Sequence, residues 1–511
     1  MKKVLRSLVL AAMLVTACNA PHPTDVGPFG AVRTRVEQLV ADGEVPSMAI
    51  AVARDGEIIW EEGFGWADRE NSRPATEHTA YPLASISKSL TATGLMILVE
   101  RGLIDLDRPI NDCLGQVGVR ARVGDAAQAT VRRVGSHTAG LPLHAQHFYD
   151  GEAARPPAMD ETIRRYGILV TAPGERYQYS NLGYGLLGDV ISRVSGESYA
   201  DFMREAVFAP LGMEQTVVHT GPGLAEGQAV KYTSQGSVVP PCDSDSPGAS
   251  AIYGSAQDLI RFALFHLKSD LPDQEAILGH AAIDAMQRPS PETGPTRAWE
   301  QEGSGYGIGW FVSVTQDDLR VVHHNGGTLG VSTVLALVPE EDLAVVVLSN
   351  TDGPWADAIL IEILCTLLSC QPADFLPPAG GMVGGAPFAP DAGLVGRWEG
   401  GVQTYAGEIP MVLEVERSGR AYATLDDQPR VLLEDVSYQD SLPQFMNAGG
   451  GPFLRGRVPG SLETAGVSRG RPYALWIEMK LREDVLGGSL VAFSQRPFYT
   501  GPLSHWVALR R

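Results

Sequence analysis

Cysteine is scarce in this chain of 511 residues, and the patterns that usually give it a function are missing. No two of the five cysteines form a Cys-x-x-Cys pattern, so neither a zinc ribbon nor a thioredoxin-type site has support. Cys365 and Cys370 fall in one predicted helix, where a separation of five residues turns them to different faces. We therefore expect these two to be buried free thiols.

Positively charged residues are fewer than negatively charged ones. The chain has 40 Lys and Arg residues against 60 Asp and Glu residues, which gives a formal net charge of −20. A protein this acidic is repelled by polyanions, so we expect neither nucleic acid nor an anionic membrane surface as a partner. Hydrophobic residues at 44% and charged residues at 20% are ordinary for a folded protein, and the length exceeds what one hydrophobic core supports.

The apolar run near the N-terminus is too short to span a bilayer comfortably. A basic head, MKKVLR, precedes it, which is the pattern of an export signal, and we assign residues 1–17 to a signal peptide. The stretch VTAC resembles a bacterial lipobox, so we expect lipidation at Cys18 and a tether over residues 18–29. Plain cleavage beside an incidental cysteine is the alternative. The expected location is exported and periplasmic, with a lipid anchor in a bacterial membrane, and Asn19 favours the outer membrane.

Strand patterns lie at both ends of the next segment, with helical patterns between them. Two strands flank the Asp55-Gly56 turn, and two further pairs lie between residues 308 and 348. Residues 85–101 are apolar on nearly all sides, which indicates a buried helix. The sequence therefore predicts an α+β fold: a mainly antiparallel sheet flanked by helices, with an inserted helical lobe and a cleft between sheet and lobe.

The C-terminal part has a different composition. Residues 371–392 are rich in Pro, Gly and Ala, which predicts a linker. Residues 393–511 contain short alternating strands with turn signals, which predicts a small all-β domain, barrel-like in form. The role of this domain and the oligomeric state stay open.

Ser85 and Lys88 stand three residues apart in YPLASISKSL. Residues at this spacing share a helix face, so the lysine amine can reach the serine hydroxyl. A serine hydroxyl is a poor nucleophile until a neighbouring base takes its proton. Read alone, the pair is more often helix-start chemistry with a solvated lysine.

Two further stretches contain polar groups that could assist such a serine. In GERYQYSNLGYGLLG, the Tyr179 hydroxyl could exchange a proton with a nucleophile, and the Asn181 amide could hold a substrate carbonyl. A helix start with a packing tyrosine is the simpler interpretation. In VVHHNGGTLG, residues 324–327 follow an apolar strand, and glycines there would let a ligand pair with the strand edge or would simply form a β-turn.

No metal and no cofactor is expected. His137, His144 and His147 could be imagined as a metal site, but we expect the last two to be solvent or loop histidines. Residues 183–188 match the dinucleotide fingerprint, yet the preceding residues are too polar for the buried strand that this motif requires.

The ordered set of motifs is more specific than any one of them. SISK, YSN 94 residues later and HNG a further 145 residues on resemble the serine β-lactamase and penicillin-binding-protein superfamily, in its class C and D,D-carboxypeptidase/esterase branch. The flanking stretches SHTAGLP, PLGM and GYGIGW agree with that family. The resemblance covers about residues 30–370 and implies a serine hydrolase domain of β-lactamase/transpeptidase-like fold.

The resemblance implies a role for each matching position. Ser85 would be the acyl-accepting nucleophile and Lys88 the base, which requires a partly neutral amine. Tyr179 would share the acid–base work, and Asn181 would orient Lys88 and the substrate amide. The oxyanion hole would consist of the backbone N–H groups of Ser85 and Gly327.

The third motif departs from that of the class C enzymes, which carry Lys-Thr-Gly to help bind the β-lactam carboxylate. His324, Asn325 and Gly326 stand there instead and would be substrate-binding. Because His is a weaker, pH-dependent cation, we rank D-amino-acid or peptidoglycan-type peptides and small esters above β-lactams as substrates. A class C-like β-lactamase and a non-catalytic penicillin-binding or sensor protein are the alternatives.

Overall fold

The computed structural model describes residues 27–296, 300–368, 370–375, 388–440, 447–448, 451–462, 473–494 and 501–511. The expected signal peptide, the lipidation site at Cys18 and most of the tether lie outside these residues, as does 376–387 of the expected linker. Within the described ranges, no helix is long and apolar enough to cross a membrane.

The elements are numbered here in chain order over the described residues. The strands β1 to β28 are Ser47–Arg54, Glu57–Asp68, Arg73–Pro74, Tyr81–Pro82, Arg120–Ala121, His147–Tyr149, Ile168–Leu169, Tyr177–Gln178, Val217–Val218, Lys231–Tyr232, Val238–Val239, Cys242–Ser244, Ile252–Gly254, Gly305–Tyr306, Phe311–Val314, Arg320–Thr328, Val331–Val338, Leu343–Ser349, Gly396–Thr404, Gly407–Val415, Ala421–Leu425, Val431–Leu432, Glu434–Asp440, Asn447–Ala448, Pro452–Val458, Tyr473–Arg482, Val485–Ser494 and Pro502–Arg510. The α-helices α1 to α10 are Gly30–Ala41, Ser87–Glu100, Val131–Gly135, Met159–Tyr166, Asn181–Ser195, Tyr199–Met203, Pro247–Ser250, Ala256–Leu267, His280–Met286 and Trp355–Leu368.

The main sheet has eight strands in the order β14-β15-β16-β17-β18-β1-β2-β3. Its strand pairs are antiparallel, and β1 lies beside β18, so the two ends of this segment close one sheet. The prediction of an antiparallel sheet with a helical insertion is confirmed, because α2 to α9 lie between β3 and β14 in the chain.

Alternating apolar side chains explain why β1 is an interior strand of this sheet. Met48, Ile50 and Val52 pack into the layer that contains α1 and α10. Ala49 and its alternate neighbours pack into the layer that contains α8 and the helical lobe. Successive strand residues point to opposite faces, so a strand that is apolar on both faces belongs between two helical layers.

Helix α2 occupies the middle of the helical lobe. All its residues from Ser87 to Leu98 are buried, as the continuous apolar pattern predicts. Gly102 follows the helix with a φ of 71°, the left-handed conformation that favours glycine after a C-terminus.

The C-terminal strands form one nine-stranded sheet in the order β22-β21-β20-β19-β28-β27-β26-β25-β23. Its two end strands, β22 and β23, are separated in the chain by Leu433 alone, so the sheet returns close to its starting edge. The predicted barrel-like all-β form is confirmed.

The prediction for Cys365 and Cys370 is wrong, because they form a disulfide. Helix α10 ends at Leu368, so Cys370 lies beyond it and the helical geometry that would separate the two side chains does not apply. Their Cα atoms are 4.4 Å apart, within the range of disulfides.

Candidate active site

Ser85 lies in a tight turn directly before α2. The turn, Ala84–Ile86, is a single 3-10 segment, and Ala84 has a φ of 45°, a conformation that costs energy for any residue with a side chain. Gly326 on β16 packs against this turn so closely that a Cβ there would stand 2.1 Å from the carbonyl oxygen of Leu83. The turn and the strand together hold Ser85 at the cleft between sheet and lobe.

The Lys88 amine has three close partners and no exposed surface. Its Nζ atom lies 3.0 Å from Ser85 Oγ, 2.8 Å from Asn181 Oδ1 and 3.1 Å from the carbonyl oxygen of Ala249. Burial lowers the pKa of Lys88 well below its ordinary value. A neutral amine has two N–H donors for the two carbonyl acceptors and one lone pair for the Ser85 proton, so the geometry suits a general base.

The Tyr179 hydroxyl belongs to the same group. Its ring lies below Lys88, with Nζ 4.9 Å from the ring centroid. Burial raises the pKa of Tyr179 and outweighs the opposing effect of a hydrogen bond with Ser85. The phenol therefore keeps its proton at neutral pH and can donate it, whereas Lys88 can accept one.

Ser180 fixes Tyr179 and Asn181 on its two sides. It is the N-cap of α5: its Oγ accepts a hydrogen bond from Gly183 N at 3.0 Å and donates one to the carbonyl oxygen of Pro142 at 2.7 Å. The helix-start interpretation is thus confirmed for this stretch, and the same cap positions the two residues that flank it. The roles predicted for Tyr179 and Asn181 stay predictions.

His137 supports this arrangement from behind. Its Nδ1 accepts a hydrogen bond from Ser180 N at 3.1 Å, and its ring centroid lies 4.3 Å from that of Tyr179. Burial lowers the pKa of His137 well below its usual value, and a proton on Lys88 or on His324 would lower it further. A neutral His137 adds no positive charge beside the base.

Residues 324–328 of β16 form one wall of the cleft. Strand β15 pairs with β16 only up to His323, so the later residues present a strand edge on that side within the described chain. Asn325 and Gly326 line the cleft together with Gly327, whose Cβ direction is open. A substrate backbone could therefore pair with this edge beside Ser85.

His324 lies behind this edge and not among the residues that line the cleft. It has no exposed surface; its Nε2 lies 3.0 Å from the Tyr306 hydroxyl, and its Nδ1 lies 2.8 Å from the carbonyl oxygen of Asn325. Because a carbonyl only accepts, Nδ1 donates to it, and a neutral imidazole then accepts from Tyr306 at Nε2. Its predicted contact with substrate stays a prediction.

The cleft has a volume of about 690 Å³ and contains Ser85, Tyr179 and Asn181. The lining also includes polar residues that no sequence motif indicates, among them His147, His219, Lys231, Cys242 and Tyr253. Most of them lie on two- or three-residue strands that only the folded chain brings together, so their spacing carries no motif.

The histidine expectations need correction. His144 lies in a loop, as one of the two alternatives predicted, but it is fully buried and its Nε2 lies 2.7 Å from Asp245 Oδ2, so it is not a solvent histidine. His147 lies on β6 and lines the cleft. No group of three or more potential metal ligands occurs among the described residues.

The barrel contacts the segment that leads to Tyr179. Strand β24 pairs with β8, at Tyr177 and Gln178, and Phe493 packs against the cluster that contains Tyr179. The buried Arg176 guanidinium forms an ion pair with Glu478 of β26. The barrel thus forms part of the support of the site.

Comparisons with known proteins agree with this geometry. Residues 32–363 match the family model described as Beta-lactamase. The chain is 29% identical to the unguisins hydrolase ungD' of Aspergillus campestris, covering 62% of this chain and 60% of that protein. It is 27% identical to penicillin-binding protein 4* of Bacillus subtilis, covering 61% of this chain and 70% of that protein.

Two solved structures show the same architecture. A crystal structure of SurE with D-Leu is 25% identical with a TM-score of 0.60 and covers 95% of this chain and 99% of that one. A class C beta lactamase from Rhodobacter sphaeroides is 23% identical with a TM-score of 0.54 and covers 66% of this chain and 99% of that one. With a matching model over most of its length and the serine–lysine–tyrosine site in place, the chain belongs to the β-lactamase family of serine hydrolases.

Proposed function

We propose that the protein hydrolyses D-amino-acid or peptidoglycan-type peptides or small carboxylic esters through an acyl-enzyme on Ser85. One observation carries the proposal: a buried Lys88 amine, with a lowered pKa, lies 3.0 Å from Ser85 Oγ and is oriented by Asn181.

The reaction would proceed in two steps. Lys88 takes the Ser85 proton while Oγ attacks the substrate carbonyl, and the N–H groups of Ser85 and Gly327 bind the oxyanion. Tyr179 then donates a proton to the leaving amine or alcohol, which departs and leaves an ester on Ser85. A water molecule then gives a proton to the Tyr179 phenolate and attacks that ester, and Lys88 returns its proton to Ser85 Oγ as the acid departs.

Relatives support the substrate class. One relative is named a hydrolase of unguisins, another a penicillin-binding protein, and a solved structural neighbour holds D-Leu. A further neighbour is described as a hydrolase with promiscuous acyltransferase activity, EstCE1. Peptides with D-residues and esters are therefore the first substrates to test.

A β-lactamase is the second candidate, favoured by the family match and by the class C neighbours. The third motif argues against efficient turnover, since His324 is buried and bonded to Tyr306. A non-catalytic sensor is disfavoured because the nucleophile, the base and the tyrosine are all present and in contact.

The test is a matched panel of three acyl donors: a D-alanyl-D-alanine peptide, a p-nitrophenyl ester and a chromogenic cephalosporin. We expect kcat/KM to be highest for the peptide or the ester, and Ser85→Ala to abolish turnover of all three. Faster turnover of the cephalosporin would favour the β-lactamase. Equal activity of Ser85→Ala would contradict the mechanism.

A further inference from the structure

Lys231, Cys242 and His147 form a polar cluster in the cleft that lies outside the three motifs. Lys231 is on β10 and Cys242 on β12, and Lys231 Nζ lies 3.3 Å from Cys242 Sγ. Strand β12 pairs with β6, where Ser244 stands opposite His147. All three side chains line the same cleft as Ser85.

A buried ammonium needs an anion near it, because the loss of hydration is costly. Lys231 is only 4% exposed, yet among the described residues no carboxylate forms an ion pair with it. Burial would lower the pKa of Lys231, but Cys242 and more distant groups raise it, so the side chain stays charged. Burial would likewise raise the pKa of Cys242, but Lys231 and a hydrogen bond with His147 lower it to about 7.

The charged lysine is also distinctive within the cleft. Of the described residues that line it, Lys231 alone is a lysine or an arginine. The two lining carboxylates are already bonded elsewhere: Asp352 accepts from Gly330 N, and Asp357 accepts from the Asn325 amide. An anion that enters the cleft is therefore attracted to Lys231 while Cys242 is a neutral thiol, whereas the Cys242 thiolate would itself pair with the lysine.

The position of Lys231 relative to Ser85 indicates which part of a substrate it would meet. A Cβ on Gly330 would stand 2.9 Å from the Cβ of Lys231, so Lys231 adjoins the turn that follows β16. His324 precedes Gly327 by three residues of β16, roughly 10 Å along an extended strand, and Gly330 lies in the turn beyond the other end of β16. In the class C enzymes, the lysine at the position of His324 helps bind the β-lactam carboxylate, which lies beside the amide nitrogen that leaves. The resemblance therefore implies that the leaving group lies toward His324 and the acyl side toward Lys231.

We propose that Lys231, with Cys242 beside it, binds a carboxylate or similar anion on the acyl side of the substrate. The substrates would then be acyl donors that carry an acidic group on the side of the scissile bond retained in the acyl-enzyme. This inference rests on the proposed acyl-enzyme at Ser85 and makes its substrate class narrower.

The test uses the p-nitrophenyl esters of succinyl-D-alanine and butyryl-D-alanine, whose acyl chains are of equal length and differ by a carboxylate in place of a methyl group. We expect the wild type to prefer the succinyl ester at least tenfold in kcat/KM, mainly through KM. Lys231→Met should remove the preference and leave the butyryl ester within about twofold of wild type, and Lys231→Arg should restore part of it. Equal use of both esters by the wild type, or a preference kept by Lys231→Met, would overturn the inference.

The same experiment separates this inference from the proposed function. Turnover of the butyryl ester that Ser85→Ala abolishes supports the acyl-enzyme whether or not a preference exists. If the wild type turns over neither ester, both the proposed function and this inference would be contradicted.

A second measurement avoids any change at Lys231, in case that variant does not fold. In Ser85→Ala, the rate of Cys242 alkylation by iodoacetamide is followed by mass spectrometry with N-succinyl-D-alaninamide or N-butyryl-D-alaninamide present. We expect the succinyl compound alone to slow alkylation at least fivefold. Equal effects of the two compounds would contradict an anion site beside Cys242.

Discussion

Lys88 acts as a base only when its amine is neutral, and its surroundings favour that form. The amine is buried, it contacts carbonyl oxygens of Asn181 and Ala249, and it has no carboxylate partner among the described residues to hold a proton on it. A lysine with a salt bridge at this position would keep its charge and leave Ser85 inactive.

The pH dependence of acylation follows from this environment. The pKa of Lys88 is lowered, so the rate of Ser85 acylation should fall as pH drops through that lowered pKa and should be flat above it, well short of the ordinary lysine value. Single-turnover acylation by a p-nitrophenyl ester measures this profile. Lys88→Met should lower the rate by about 10²–10⁴-fold and remove the fall in rate at low pH. If the rate of this variant still falls at the same pH, the titrating group is not Lys88.

Tyr306 provides a second prediction at the residue scale. Tyr306→Phe would leave the buried His324 Nε2 without its 3.0 Å partner, which should lower the free energy of unfolding by about 1–3 kcal/mol. Tyr405→Phe is the matched control, because the Tyr405 hydroxyl has no hydrogen-bond partner within the described structure. Thermal unfolding of both variants measures this difference in stability. Equal stability of the two variants would contradict the role given to Tyr306.

Single residues were predictable from sequence where a motif contains them. Ser85, Lys88, Tyr179 and Asn181 were selected on spacing and resemblance, and the structure brings all four into contact or close proximity. Lys231 could not be predicted in this way, because no sequence motif connects it with Cys242 or with the turn after β16.

Strand β16 is the element on which the proposed site most depends, because its edge contains Gly327 and it approaches the Ser85 turn closely at Gly326. In the proposed mechanism this approach sets the distance between the two N–H groups of the oxyanion hole. That approach requires glycine at 326 for steric reasons, since a Cβ would meet both the Leu83 carbonyl oxygen and Thr333 Oγ1.

Gly326→Ala should therefore push β16 away from the turn. We expect a loss of kcat/KM of at least tenfold with a smaller loss of stability, because only one strand edge has to move. Gly294→Ala, at a glycine whose Cβ direction is open, is the control and should behave as wild type. Full activity of Gly326→Ala, measured with the ester substrate, would show that the close approach is not needed.

The order of elements was predictable, and their ends were less so. The hairpin at Asp55-Gly56, the buried helix and the strand pair around residues 339–342 follow from apolar periodicity and turn chemistry. The apolar pattern of α10 does not show that the helix ends at Leu368, two residues before Cys370, and the Cys365–Cys370 disulfide depends on that end.

At the scale of the whole molecule, ion pairs join the barrel to the segment that precedes Tyr179. The Arg176 guanidinium is 2% exposed and pairs with Glu478, while Glu175 contacts both Lys480 and Arg482. These ion pairs lie within four residues of Tyr179 in the chain. The sequence predicted the barrel but not this docking, because the contacts join residues about 300 positions apart.

Removal of Glu478 tests this coupling. Glu478→Ala would leave the buried Arg176 charge without that partner, which should cost about 3–5 kcal/mol of stability and lower kcat through displacement of Tyr179. Glu399→Ala, at an exposed ion pair of the same barrel, should have little effect on either quantity. A destabilised Glu478→Ala with unchanged kcat would mean that the barrel docks without positioning Tyr179.

The central claim is that Ser85 carries the acyl group during the reaction. Intact mass of the wild type and of Ser85→Ala, followed over time with a p-nitrophenyl ester, a penicillin and a fluorophosphonate, tests it directly. We predict an adduct of the mass of each acyl or phosphonyl group on the wild type, mapped to the peptide that contains Ser85, and none on Ser85→Ala. A wild type that gains no adduct from any of the three reagents, or an equal adduct on Ser85→Ala, would contradict the account.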